Sequence, residues 1–314
     1  MGATPASPLS PRSGPRLARR DGRQDARRAA VVAALAAGLC CGRTAHAAEP
    51  ETVYFPSADG QTELVGYLFT PKAGSAHPAV VMLHGRAGPY SSNVNAGCAW
   101  VARGTASACS AATLSKRHLM WGAYWADHGY AALLVDSFGP RGRGHGFGRG
   151  THDDPDREPV NELTVRPLDA EGALAWLARQ PRVKPERIML QGWSHGGSTT
   201  LNTLYRQAQA PARAPRFQAA LAFYPGCGPK ALLSRQFKVD IPLLLLLGSE
   251  DEEVSPTICR DMAARASGTI QSQWYDGATH DFDDPGKARQ AVAANRIAQA
   301  DALQRAARFF DAAP

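Results

Sequence analysis

The chain has 314 residues, 44% of them apolar, enough to build one sizeable hydrophobic core. Its formal charge of +7 is concentrated in the first 47 residues, which hold eight arginines and two aspartates; the remainder carries 27 basic and 26 acidic residues, a net of +1. The overall basicity is therefore no argument for nucleic acid or for an acidic partner.

In chain order, residues 1–47 read as an export leader. Arg27-Arg28 precede thirteen apolar or small residues, Ala29 to Cys41, and Ala45-His46-Ala47 forms an A-x-A cleavage signature. The apolar run is too short to span a bilayer, so no stable membrane insertion is expected after cleavage, and the protein is expected to be periplasmic or secreted. Arg19-Arg20 and Arg27-Arg28 raise a twin-arginine route, although the residues after each pair fit it poorly. A start downstream of Met1 stays open, and no lipobox precedes Cys40 or Cys41.

Beyond the leader, "TVYF" (52–55) and "ELVGYLF" (63–69) predict an opening hairpin, and "AVVMLHG" (79–85) a strand buried on both faces. A Gly/Ser/Ala/Asn-rich excursion over 89–114 leads to a helix over 114–129 with a terminal glycine. The strand "YAALLVDSFG" (130–139) follows, then a Gly/Arg/Asp-rich loop insertion at about 139–164, read as a lid or rim. A helix over 168–180, the strand "RIMLQGW" (187–193), a helix from about 195 and strands over 217–226 and 241–251 come next. The chain closes with a helix near 257–266, a strand over 270–277 and one long helix over 286–311. Alternating strands and helices predict one α/β domain, residues 48–314, with a mostly parallel central sheet flanked by helices. In such sheets functional groups collect beyond the carboxyl ends of the strands.

Of six cysteines, two lie in the leader; the four others permit three pairings. Export favours disulfides, and the expected pairs are Cys98–Cys109, which closes a short loop, and Cys227–Cys259. There is no C-x-x-C, and neither a metal nor a cofactor is expected. The insertion "GPRGRGHGFGRGTHDDPDREP" has no true G-x-G-x-x-G, and its His and Asp residues read as a solvated loop rather than as metal ligands.

Gly192-Trp193-Ser194-His195-Gly196 directly follows a buried strand and opens a helix, the context of a nucleophile elbow. A serine hydroxyl needs an adjacent base, and the base an orienting carboxylate. Apart from His195, the one histidine after Ser194 is His280, in "GATHDF" past the last strand. The acid should follow the preceding strand, where "LLLLLGSEDEEVSP" makes Asp251 the choice, with Glu250 and Glu252 as alternatives. Two backbone N–H groups should hold a developing oxyanion: that of His195 and that of Arg86 in the loop after 79–85, with Ala87 the alternative to Arg86. Arg141, in "DSFGPRG", is a candidate for pairing a substrate carboxylate or, equally, a structural arginine; Tyr224 is a candidate pocket wall.

Taken together, "LHGRAG", "DSFGPRG", "GWSHGG", "FYPGCG", "GSEDEEVSP" and "THDF" resemble, in order, the dienelactone hydrolase family of α/β-hydrolases, from about residue 60 to 312. Two departures stand out: Ser194 occupies the place of the cysteine nucleophile of the best-known members, and Gly85 the place of their glutamate in the first strand-end loop. The resemblance implies the α/β-hydrolase fold, the Ser194–Asp251–His280 triad and hydrolysis of a small-molecule ester or lactone, with no substrate named. The rival readings are a peptidase of related type, for whose usual propeller domain the chain has no room, and a non-catalytic binding protein on the same fold.

Overall fold

The structure, a computed structural model, describes residues 49–314 except 73, 75, 95, 96, 212–214, 236–238 and 267–269; the leader and its cleavage signature lie outside the described residues. Eight strands form one sheet: β1 (Glu51–Pro56), β2 (Glu63–Phe69), β3 (His77–Leu83), β4 (Ala131–Asp136), β5 (Val183–Trp193), β6 (Ala220–Phe223), β7 (Leu243–Glu250) and β8 (Ile270–Thr279). Their order is β1-β2-β4-β3-β5-β6-β7-β8. β1 and β2 make the expected antiparallel hairpin, β2 pairs antiparallel with β4, and every later pairing is parallel.

The parallel strands are apolar because both faces are covered. Alternate side chains enter two separate cores: Val81 and Leu83 of β3 join Leu190 and Leu245 on one face, while Val80 and Met82 join Met189, Trp193 and Phe223 on the other. The helices are α1 (Lys116–Asp127), α2 (Arg166–Leu177), α3 (His195–Gln207), α4 (Pro256–Arg265), α5 (Lys287–Gln290) and α6 (Ala293–Asp311). The long terminal helix expected over 286–311 is broken at Ala291–Val292. The break frees the Arg289 carbonyl to accept from Asn295 Nδ2 at 3.0 Å, while Asn295 Oδ1 takes the Thr279 N–H at 2.9 Å. One buried asparagine thus ties α6 to the end of β8.

Both expected disulfides are present. Cys98–Cys109 spans a Cα separation of 5.5 Å within the excursion, and Cys227–Cys259 joins the loop after β6 to α4 across 5.1 Å. No helix among the described residues is long and apolar enough to cross a membrane.

The chain runs from β3 to β4 on one side and then crosses to β5 on the other, so β3 and β5 flank the point where strand order reverses. A crevice opens there beyond the carboxyl ends. The loop after β3, starting at His84-Gly85-Arg86, and the turn after β5, at Ser194, meet at this crevice.

Candidate active site

Ser194 stands at the β5–α3 turn with φ 53° and ψ −114°, a conformation that a non-glycine residue holds only when its surroundings impose it. The flanking glycines follow from close approach. A Cβ at Gly192 would strike the carbonyl of Gly196, and one at Gly196 would strike the carbonyls of Leu83 and His84. Strand and helix can therefore meet at this angle only with glycine at both positions. The turn leaves Ser194 as the partly exposed residue of a stretch that is otherwise buried on both sides.

His280 reaches back from the end of β8. Its Nε2 lies 3.0 Å from Ser194 Oγ and its Nδ1 2.8 Å from Asp251 Oδ2. The carboxylate accepts the Nδ1–H, so Nε2 carries the lone pair that faces the serine hydroxyl. Asp251 has no exposed side-chain surface; its Oδ1 accepts the N–H groups of Glu253 at 2.8 Å and Val254 at 2.9 Å, which fixes the carboxylate at the start of the loop after β7. Of the alternative acids, Glu252 accepts the His280 backbone N–H at 2.9 Å rather than the imidazole.

Burial by itself lowers the pKa of His280, but the Asp251 hydrogen bond and the charges of Asp281, Asp251 and Glu253 outweigh it, leaving the imidazole above its ordinary value. Glu253 Oε2 is 3.8 Å from Nε2, on the side that faces Ser194. Arg86 holds that glutamate in a two-pronged pair, Nε to Oε2 at 2.8 Å and Nη2 to Oε1 at 2.7 Å, and its Nη1 donates to the Phe147 carbonyl at 2.9 Å. One arginine thereby joins the loops after β3 and β7 to the insertion. The backbone N–H groups of Arg86 and His195 take no acceptor among the described residues, and Arg86 and Ser194 line the same two cavities.

The His195 imidazole, unlike its N–H, is built into the protein. Its Nδ1 accepts from Arg166 Nη1 at 2.6 Å and its Nε2 lies 2.8 Å from Glu162. Burial lowers its pKa to about 4 against the opposing pull of Glu162, so it is neutral at pH 7. Arg166, fully buried, also donates to the His84 carbonyl at 2.9 Å. Elbow and β3 loop are thus braced by one guanidinium that no sequence pattern singled out.

Two expectations are corrected. Arg141 does not face the crevice: it forms a two-pronged pair with the fully buried Asp169, at 2.9 and 2.8 Å, bonds Asp59 at 3.2 Å and donates to the Ser137 carbonyl. A buried carboxylate demands such a partner, and the arginine is consumed by it. Tyr224 does not wall the crevice either. It is fully buried at φ 37°, its ring 4.5 Å from that of His280, and its hydroxyl donates to Asp283 Oδ1 at 2.5 Å.

Asp283 is a second residue that the sequence did not announce. Besides Tyr224 it accepts the indole N–H groups of Trp121 at 2.7 Å and Trp193 at 2.8 Å. It therefore anchors α1, the residue before Ser194 and the residue behind His280 to one carboxylate. Arg117, 3.7 Å from Asp283, pairs chiefly with Asp281 at 2.6 Å and Asp284 at 3.2 Å. Glu253, His280 and Asp281 offer ligand atoms within 4.8 Å of one another, but they are engaged by Arg86, Ser194 and Arg117, which accounts for the group without an ion.

Ser194 lies between two cavities. The first, about 340 Å³, includes His280 and a polar wall of Ser91, Ser92, Asn93 and Lys116. The second, about 300 Å³, runs from Ser194 and His195 toward the insertion and the loop after β6. Both are of the size of small-molecule sites.

Comparison with solved structures places the fold. The chain superposes on a dienelactone hydrolase-like promiscuous phosphotriesterase, P91, from metagenomic libraries, with a TM-score of 0.59 at 19% identity over 83% of this chain and 96% of that one. It also matches a dienelactone hydrolase described as putative from Klebsiella pneumoniae (TM-score 0.58, 17% identity, 83% and 99% coverage). A third match is the Thermogutta terrifontis esterase Est2 in a propionate-bound form (0.56, 16%, 84% and 94%). At these identities the likeness is one of fold. The sequence itself goes further: residues 115–313, which include Ser194, Asp251 and His280, match the dienelactone hydrolase family, and the chain belongs to that family of hydrolases.

Proposed function

We propose that residues 48–314 are an exported serine hydrolase that cleaves small carboxylic esters or lactones through an acyl-enzyme. The observation that carries this reading is the unbroken line of hydrogen bonds from Asp251 through His280 to Ser194 Oγ, at 2.8 and 3.0 Å, with the serine held at positive φ on the elbow. Ser194 Oγ attacks the ester carbonyl while its proton passes to His280 Nε2. Asp251 keeps the imidazole in the tautomer that can accept it and stabilises the imidazolium. The N–H groups of Arg86 and His195 hold the oxyanion. The bond to the leaving oxygen then breaks as His280 returns the proton to it. Water repeats the sequence on the acyl-enzyme: its proton goes to His280, its oxygen bonds to the carbonyl carbon, and Ser194 Oγ leaves with the proton. The two disulfides and the leader support export.

Labelling the full chain with a fluorophosphonate, with the adduct mapped by mass spectrometry, tests the reading. The adduct is expected on Ser194 and absent from Ser194→Ala, whose ester hydrolysis should fall by roughly four orders of magnitude or more. A folded protein that takes no label overturns the proposal in favour of a non-catalytic binding protein.

A further inference from the structure

Two hydrogen-bond acceptors face each other beside Ser194, and a molecule with two hydrogens on one atom can answer both. His280 gives its Nδ1–H to Asp251, so its Nε2 bears a lone pair and no proton. Glu253 Oε2 lies 3.8 Å from that nitrogen. Burial opposes the charge of Glu253, but the Arg86 hydrogen bonds and the charges of His280 and Arg86 outweigh it, and its carboxyl stays below the ordinary glutamate value. The separation is too long for a direct hydrogen bond, which two acceptors cannot make in any case, and it is a spacing that one bridging oxygen spans. The carboxylate also has its spare capacity on that side. Its Oε1 is committed to Arg86 Nη2 at 2.7 Å and Arg149 Nε at 2.9 Å, whereas Oε2 accepts from Arg86 Nε at 2.8 Å and keeps a second lone pair. Its side chain is 6% exposed, so the two arginines rather than bulk solvent set its position.

In the free protein the Ser194 hydroxyl, 3.0 Å away, donates to Nε2. Acylation of Oγ removes that hydrogen and leaves Nε2 open. The departing alcohol takes its proton from Nε2, so it leaves through the cavity on which that nitrogen lies. Ser194, Glu253 and His280 all line the first cavity, and neither Glu253 nor His280 lines the second. The space that the alcohol vacates is therefore bounded by both acceptors. Water carries two O–H bonds on one oxygen, and an alcohol carries one.

We infer that Glu253 holds the hydrolytic water of the deacylation step and so selects water over an alcohol as the second substrate. One hydrogen of the water points to His280 Nε2 and the other to Glu253 Oε2, which leaves the oxygen lone pairs for the acyl carbon. As the oxygen bonds to that carbon, the first proton passes to Nε2. The second hydrogen stays on the oxygen and becomes the hydroxyl of the acid product. The electron pair of the carbon–Oγ bond leaves with Ser194, which recovers its proton from His280. The bond to Oε2 strengthens as the oxygen gives electron density to carbon, so it acts in the transition state. The inference rests on the hydrolase reading above and adds a residue to the same site.

The test forms the acyl-enzyme from 4-nitrophenyl butanoate with the full chain and partitions it between water and methanol, at a pH on the plateau of each profile. Initial rates of methyl butanoate and butanoate formation give the ratio of methanolysis to hydrolysis, mole for mole. Both nucleophiles attack one acyl-enzyme and use the same base and oxyanion donors, so a general disturbance of the site cancels in the ratio. In the wild type the advantage of methanol, the stronger nucleophile, should stay below roughly tenfold, the scale of one charge-assisted contact. Glu253→Ala should raise the ratio by roughly tenfold or more, and Glu253→Gln, which keeps one neutral acceptor, by less. A wild-type ratio above roughly ten overturns the inference whatever the variants do, and it decides the matter if Glu253→Ala does not fold. An unchanged ratio in a Glu253→Ala protein that still labels with fluorophosphonate overturns it as well. Labelling separates this failure from that of the hydrolase reading: if wild-type Ser194 labels and the ratio does not respond, the water assignment falls alone. A folded wild type that neither labels nor hydrolyses the ester removes both.

Discussion

Replacing Asp283 with alanine removes the one acceptor shared by the Trp121 indole, the Trp193 indole and the Tyr224 hydroxyl. All four residues are fully buried. A buried donor left without a partner costs about 1–3 kcal/mol, so three set an upper range of about 3–9 kcal/mol. Two effects reduce it. Burial raises the pKa of Asp283, so the wild-type protein already bears a desolvation cost that the alanine does not. Arg117 also keeps its closer partners, Asp281 and Asp284. The expected loss is therefore in the lower part of that range, about 3–5 kcal/mol. Against a typical stability of 5–15 kcal/mol this is a large fraction. Urea unfolding at pH 7 with both disulfides intact, followed by tryptophan fluorescence, measures it directly. Asp283→Asn retains one acceptor oxygen but turns an N–H₂ toward other donors, and should fall between alanine and wild type. Because Trp193 precedes Ser194, fluorophosphonate labelling should slow in the alanine variant. A loss below about 1 kcal/mol for Asp283→Ala would refute the argument that this carboxylate organises the floor of the site.

The raised pKa of His280 fixes the sign of the pH dependence: the base works when neutral, so kcat/KM should rise through an apparent pKa above the ordinary histidine value and fall off below it. Glu253→Gln removes an anion 3.8 Å from Nε2 and leaves Arg86 unpaired, both of which disfavour the imidazolium, so the acid limb should move to lower pH; a flat wild-type profile from about pH 5 to 9, or an upward shift in the variant, contradicts the assignment. Arg141→Ala strands the buried Asp169 and should cost about 3–5 kcal/mol in denaturant unfolding. Exchanging Cys227 and Cys259 for serine opens a loop with a separation of 32 residues and should lower stability by about 3–4 kcal/mol in the same assay.

Strand periodicity and turn chemistry alone sufficed to place the eight strands along the chain, because a strand buried on both faces must be apolar along its length, as in "AVVMLHG" and "IPLLLLLG", but not to set β4 between β2 and β3 in the sheet. The elbow was legible for a similar reason. Its glycines are demanded by backbone approach, a local constraint that sequence records directly. The break at Ala291–Val292 left no such mark, because it serves a contact between Asn295 and Thr279, sixteen residues apart.

Charged residues divide along the same line. Composition and order make Ser194, Asp251 and His280 candidates, but the same information made Arg141 a substrate ligand as readily as a structural arginine. The difference lies in Asp169, which α2 presents to Arg141 across 28 residues, and no local pattern encodes that meeting. Arg157 is the converse case, an unremarkable residue in a loop rich in glycine and arginine until the insertion folds over the second cavity and buries its guanidinium on the same wall as Glu162. Sequence carries what the backbone needs locally. Which buried charges find partners depends on contacts between distant segments and is settled only when the chain has closed around them.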